Sequence, residues 1–204
     1  MGHVIYLTGA PATGKSSLCE VIKRNHPDLL VLSYSTLLRE HLHRRDTTTY
    51  STSALREQSS AIITRDDVAA VDKTLIGLVE AERTRRDVII DSHPVTKESF
   101  GFRVTPFTAE QIVALRPNAI VCLYASPDIL RMRIVRNADG RPLPTDFELA
   151  MHVQTQVSVA TQYSVLTGAS CYLVDSAEGI PALVERVTPI FKFGSAPAPQ
   201  SASV

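Results

Sequence analysis

Val4-Ile5-Tyr6-Leu7-Thr8 runs directly into Gly9-Ala10-Pro11-Ala12-Thr13-Gly14-Lys15-Ser16, and Ser16 to Arg24 continues with helical spacing. An apolar strand, the pattern G-x-x-x-x-G-K-[ST] and an amphipathic helix, in register, specify a phosphate-binding loop. The glycines let the backbone turn tightly and bring its N–H groups onto phosphate oxygens. The positive end of the following helix adds a fixed partial charge. Residues Gly9, Ala10, Pro11, Ala12, Thr13, Gly14, Lys15, Ser16 and Ser17 are therefore expected to cradle ATP as phosphoryl donor. In this arrangement Lys15 reaches the β- and γ-phosphates, and the Ser16 hydroxyl ligates Mg²⁺.

Working outward, three more short apolar runs predict buried strands: Leu29–Ser33, Val88–Asp91 and Ala119–Tyr124, with a weaker fifth at Cys171–Val174. Each is rich in Val, Ile and Leu without clean alternation, as parallel strands covered on both faces are. Helical spacing fills the gaps at Thr36–Arg44, Asp66–Arg86, Pro127–Arg136, Asp146–Leu166 and Ile180–Phe191. Strand and helix in alternation predict an α/β, three-layer fold with a five-stranded parallel sheet flanked by helices. One domain over residues 1–193 is expected, with a short mobile lid at about 137–146. The Pro- and Ser-rich stretch 194–204 reads as a flexible tail, because it has too little apolar surface to offset its ordering entropy.

Asp91 closes the strand Val88-Ile89-Ile90. It reads as the acidic partner of the metal through a water, or as a cap or turn residue before Pro94. No Asn-Lys-x-Asp guanine motif accompanies the loop, and 204 residues leave little room for the larger module of a motor ATPase. A small kinase fits. Transfer between two anions needs cations around the moving phosphate, and arginines stand after the strand ends: Arg39, Arg56, Arg133, Arg136 and Arg141. Arg133 and Arg136, three apart, share a helix face. Arg131 and Arg45 read as surface charges.

Composition narrows the classes further. Lys plus Arg and Asp plus Glu both number 21, so the net charge is zero, and a strongly basic nucleic-acid binder is not expected. No apolar run approaches the ~18 residues of a membrane helix. Three scattered cysteines, Cys19, Cys122 and Cys171, have no metal-ligand spacing and read as small hydrophobes in a reducing, cytoplasmic setting.

Taken in order and spacing, Gly9–Ser16, Val31–Arg39, Val88–His93, Gly101–Phe107 and the Arg133–Arg141 region resemble an adenylate kinase. Ile90-Asp91-Ser92-His93, similar to an Asp-Thr-His after the third strand, narrows the resemblance to the archaeal type. Lys97-Glu98-Ser99-Phe100-Gly101-Phe102 is similar to that type's Thr-Pro-x-Gly-Tyr loop, and Pro117-Asn118-Ala119-Ile120 leads into the fourth strand as it does there. The resemblance covers about His3 to Lys192. It implies ATP on the phosphate loop, AMP as first acceptor between the second-strand helix and the third-strand loop, and a trimeric assembly. By position, Ser33, Tyr34 and Arg39 would face the nucleoside monophosphate, Arg56 would lie on the acceptor-side helix, and His93 and Phe102 would lie near the acceptor. Arg133, Arg136 and Arg141 would clamp the transferred phosphate. His93 also reads as a hydrogen-bonded structural histidine.

The departures fall on the acceptor pocket and the lid. Tyr34-Ser35-Thr36 replaces Tyr-Gly-Asp, Arg103-Val104-Thr105-Pro106-Phe107 replaces a Leu-Pro-Gly-Leu-Pro run, and the lid keeps Arg141 of an Arg-Asn-Arg-Asp motif. The expected reaction is Mg²⁺-dependent, reversible transfer of the ATP γ-phosphate to AMP or a related nucleoside monophosphate. Since a phosphate acceptor is already anionic, no general base is needed. Two other readings stay open: a kinase of a small hydroxyl-bearing metabolite with Asp91 as base, and an ATP-binding regulatory or RNA-associated protein using Lys23–Arg24 and His41–Arg45.

Overall fold

The computed structural model describes residues 1–46, 59–136 and 143–191. Five parallel strands form the central sheet in the order β2-β3-β1-β6-β7: β1 Val4–Gly9, β2 Leu30–Ser33, β3 Val88–Asp91, β6 Ala119–Tyr124 and β7 Ser170–Asp175. All five coincide with the apolar runs of the sequence. The central strands are almost wholly buried, whereas β2 and β7 at the edges are half exposed.

Successive side chains of β1 point to opposite faces and enter two different cores. Val4 and Tyr6 pack with Leu75, Val79, Ile112 and Tyr163. These come from α4 (Arg65–Glu82), α5 (Ala109–Leu115) and α7 (Asp146–Thr167). Ile5 and Leu7 pack on the other side with Leu18, Ile22, Leu183 and Phe191, from α1 (Lys15–Asn25) and α8 (Ile180–Phe191). The result is the expected three layers. The remaining helices are α2 (Tyr34–Asp46), which packs on α4, a single turn α3 (Ser59–Ile62), and α6 (Pro127–Arg136), which packs on α7. No helix among the described residues is long and apolar enough to cross a membrane.

The chain leaves β1 for one face through α1 and leaves β3 for the other through α5. The carboxyl ends of these neighbouring strands therefore open into a crevice where the connections diverge. Register sets the crevice lining: Leu7 pairs with Asp91, Asp91 with Ser33, and Gly9 with Leu123.

Two features depart from expectation. The long helix stops at Glu82, and Arg83 caps it, donating to the Leu115 and Arg116 carbonyls at 3.3 Å. The stretch expected as a glycine-aromatic loop is an antiparallel hairpin, β4 (Val95–Glu98) and β5 (Gly101–Val104), joined by Ser99-Phe100. Each strand has four residues and the turn lacks the Asn-Gly or Asp-Gly pair that marks such hairpins. Gly101, at φ +140°, supplies the positive dihedral instead.

Candidate active site

The phosphate loop is held open by its own side chains. Thr13 Oγ1 donates to the Ala10 carbonyl at 2.7 Å, and Lys15 Nζ donates to the Gly9 carbonyl at 2.7 Å and that of Ala10 at 3.4 Å. Gly9 sits at φ +150°, and a Cβ there would lie 2.6 Å from the Leu123 carbonyl oxygen. Gly14 takes a left-handed conformation at the start of α1 and offers no side-chain cap. The first N–H groups of α1 thus lack a side-chain cap, the arrangement that favours an anion at a helix N-terminus.

Asp91 stands beside this loop at the end of β3. Its Oδ1 is buried without a hydrogen-bond partner. Burial raises the carboxyl pKa, and the nearby Lys15 charge works against that rise. Lys15 shows the mirror effect: burial lowers its pKa while Asp91 opposes. Each charge is the other's compensation in a low-dielectric setting.

Two cavities meet here. The larger, about 1390 Å³, is lined by Ala10 through Ser17, Ser33, Asp91, the hairpin residues Lys97 and Phe102, Arg133, Leu143, His152 and Gly179. The smaller, about 320 Å³, lies between α2, α4 and the hairpin, and is lined by Tyr34, Leu38, Arg39, Val68, Asp72, Arg103 and Phe107. Ser35, His93 and Thr96 border both. Among the described residues, Asp72 is the one carboxylate on the smaller wall. It accepts from Tyr34 O–H at 2.8 Å and from the Gln111 amide at 3.0 Å.

Several expected residues converge. Tyr34 and Arg39 line the smaller cavity, His93 lies at the junction, and the phosphate loop, Ser33 and Asp91 line the larger. Others are placed differently. Phe102 faces the larger cavity and packs edge-on to His152 at 5.1 Å between ring centres. Arg133 borders the cavity, but its guanidinium donates to the Ala12, Ser176 and Ala177 carbonyls at 3.3, 2.6 and 3.1 Å. Arg136 is exposed at the end of α6 and lines neither cavity. Arg56 and Arg141, with most of the expected lid, lie outside the described residues.

The basic stretch of α2 is largely engaged in packing rather than presented as a charged face. His41 Nε2 lies 2.9 Å from Asp67 Oδ1, Arg45 pairs with Asp67 and Asp46, and Arg44 folds back on the Glu40 carbonyl. Among the residues that sequence reading missed on the cavity walls are Lys97, Arg103, Asp72 and His152. The two cations are hidden in the sequence because the hairpin carrying them reads as a loop. His152 sits inside a long helix, and nothing in its spacing singles it out. Its Nε2 bonds the Val95 carbonyl at 3.1 Å, and burial lowers its pKa to about 4, so the ring is neutral near pH 7.

The sequence profile described as AAA domain matches residues 8–148, from the end of β1 into α7. The chain belongs to that family. Among curated proteins it is 24% identical over 152 residues to the adenylate kinase of Pyrobaculum aerophilum, covering 74% of this chain and 73% of that one. It is 23% identical over 187 residues to the adenylate kinase of Methanopyrus kandleri, covering 86% and 90%. Similar solved folds include a shikimate kinase from Bacteroides thetaiotaomicron (TM-score 0.58, 18% identity, 94% of this chain and 99% of the other). Another is a sugar kinase from Janibacter sp. HTCC2649 (TM-score 0.57, 14% identity, 95% and 96%). The architecture is thus the one these P-loop kinases share.

Proposed function

We propose that the protein is an ATP-dependent phosphotransferase whose acceptor is itself a phosphate ester, a nucleoside monophosphate, with AMP the first candidate. The observation that carries this reading is the smaller cavity. It meets the cavity that the phosphate loop lines, and it carries Arg39 and Arg103; the carboxylate on its wall, Asp72, already accepts two hydrogen bonds. A hydroxyl acceptor needs a base to take its proton; a phosphate acceptor needs cations instead. Apolar and aromatic side chains, Leu38, Val68 and Phe107, give the same cavity a surface for a base ring. The two archaeal adenylate kinases that this chain resembles support AMP in particular.

In this reading the N–H groups opening α1 and the Lys15 ammonium hold the donor phosphates. Ser16, exposed on the cavity, and Asp91, whose buried Oδ1 is without a partner, suit a hydrated Mg²⁺. When bound, Mg²⁺ neutralises charge on the donor phosphates. The chain's own part is to align the two phosphates where the cavities meet, near Ser35, His93 and Thr96, and to offset their repulsion.

One observation favours a second reading. The unpartnered Asp91 Oδ1 could accept a proton from a hydroxyl acceptor. A single assay separates the two: incubate with γ-labelled ATP and Mg²⁺ against a panel of nucleoside monophosphates and hydroxyl-bearing metabolites. Labelled nucleoside diphosphate supports the proposal. Label only on a hydroxyl metabolite defeats it.

A further inference from the structure

The β4–β5 hairpin lies between the two cavities and contributes side chains to each. In antiparallel partners, directly opposed residues share a face and neighbours alternate. Thr96 pairs with Arg103, and Lys97 pairs with Phe102. Arg103 lines the smaller cavity, Lys97 and Phe102 line the larger, and Thr96, opposite Arg103, borders both. One strip of chain thus presents a cation to each side.

Both cations already lie near a carboxylate. Lys97 Nζ stands 3.0 Å from Glu148 Oε1, donates to the Glu98 carbonyl at 3.1 Å and lies 5.6 Å from the centre of the Phe102 ring, and Arg103 stands 3.9 Å from Glu98. The Arg103–Glu98 separation is too long for a direct hydrogen bond, and both basic side chains are half exposed on their cavities. Arg133 is taken up by three carbonyls and Arg136 lies off the walls. Among the described residues, Lys97 and Arg103 are the cations that line the cavity walls beside Lys15, Arg39 and the carbonyl-bound Arg133.

We infer that the hairpin is a two-faced phosphate-binding wall: Arg103 binds the acceptor's phosphate and Lys97 binds the donor's phosphate chain. This rests on the phosphotransferase reading above and assigns which chain residues divide the two anions. A guanidinium suits the bidentate terminal phosphate of the acceptor, and a flexible ammonium suits a moving donor phosphate.

The test is calorimetric titration of the full chain, wild type, Arg103→Gln, Arg103→Lys and Lys97→Met, with Mg·ATP and with AMP, alongside turnover. Loss of one charge-assisted contact corresponds to about a tenfold to hundredfold loss of affinity. Arg103→Gln is expected to weaken AMP by that factor and leave Mg·ATP within about twofold, with Arg103→Lys recovering part of the loss. Lys97→Met is expected to do the reverse. Circular dichroism and the thermal midpoint verify that each variant is folded. If either variant weakens both ligands equally, weakens the wrong one, or weakens neither, the assignment is wrong even where wild-type turnover upholds the phosphotransferase reading. Should the wild type bind both ligands with the expected division but transfer nothing, the wall stands and the reading fails. Should it bind no monophosphate, both fail.

Discussion

The Arg133 guanidinium donates to the Ser176 carbonyl at 2.6 Å and at the same time to the Ala12 carbonyl at 3.3 Å. One side chain of α6 thereby ties the phosphate loop to the turn after β7, two segments from opposite ends of the sequence. A guanidinium has five donors in a rigid fork, which is why it can bridge carbonyls from two segments.

On this geometry Arg133 is expected to act as a positioning residue, and its loss should register in donor binding. Arg133→Ala is expected to raise the KM for ATP about tenfold, equivalent to ~1.4 kcal/mol, with kcat and the acceptor KM changing little. Arg133→Lys should rescue poorly, since one ammonium cannot reproduce the fork. Steady-state kinetics with both substrates varied checks this. A kcat loss of several hundredfold at unchanged KM would instead show the guanidinium on the reacting phosphate.

His152 makes stability depend on pH. Its folded pKa of about 4 lies below the ordinary 6.5 because burial disfavours the charged ring. Between these values the unfolded chain binds the proton and the folded chain does not, so stability rises with pH across the window. The group's contribution is lost as pH falls from about 6.5 to about 4, by at most about 3 kcal/mol at roughly 1.36 kcal/mol per pH unit. His152→Gln keeps a donor for the Val95 carbonyl but cannot charge. Urea unfolding at about pH 7, 5.5 and 4.5, values that straddle the window, should therefore give a flatter profile for this variant than for the wild type. Parallel profiles would refute the burial argument.

Two glycines, one in the phosphate loop and one in a helix, should respond in opposite senses. At Gly9 a Cβ would press on the Leu123 carbonyl at 2.6 Å and on Thr13 Oγ1 at 2.9 Å, with φ at +150°. Backbone cannot yield as a side chain can, so Gly9→Ala is expected to destabilise by about 3 kcal/mol and to distort the phosphate loop. Gly77 is exposed within α4, and a Cβ placed there would meet no atom within 4 Å. Gly77→Ala is expected to stabilise by about 0.5–1 kcal/mol through helix propensity, a rise of about 2–4 °C in Tm at most. Differential scanning calorimetry measures both.

These residues also show how far the chain can be read unaided. The central strands stand out because strands covered on both faces are nearly continuously apolar, as Val88–Asp91 is, while the half-exposed edge strand Ser170–Asp175 carries a weaker signal. The loop Gly9–Ser16 is legible because phosphate chemistry fixes residue types at fixed spacing. Lys97 and Arg103 are not legible. Their hairpin has four-residue strands and no turn signature, and it is held by tertiary contacts such as the His152–Val95 hydrogen bond and the Phe102–His152 ring pair. Nor can spacing place Arg133 on carbonyls: the interval between two arginines defines a helix face, not what that face meets.

Asp72 joins α2, α4 and α5 beneath the smaller cavity through Tyr34 and Gln111. Asp72→Ala would leave the Tyr34 hydroxyl and the Gln111 amide without this acceptor, and a destabilisation of about 1–3 kcal/mol is expected. The isosteric Asp72→Asn is more informative because its effect should depend on pH. Burial raises the Asp72 carboxyl pKa above the ordinary 3.8, against the lowering effect of both hydrogen bonds. The folded state therefore holds the proton more tightly than the unfolded chain does. That contribution is fully present below pH 3.8 and is lost as pH rises through the folded pKa. Asn forgoes it at every pH. Relative to wild type, Asp72→Asn should be most destabilised near about pH 4 and closer to wild type at about pH 7. Chemical denaturation at the two pH values reads the difference directly, and a larger deficit at neutral pH would mean that the carboxylate, not the acid, is the form the fold prefers.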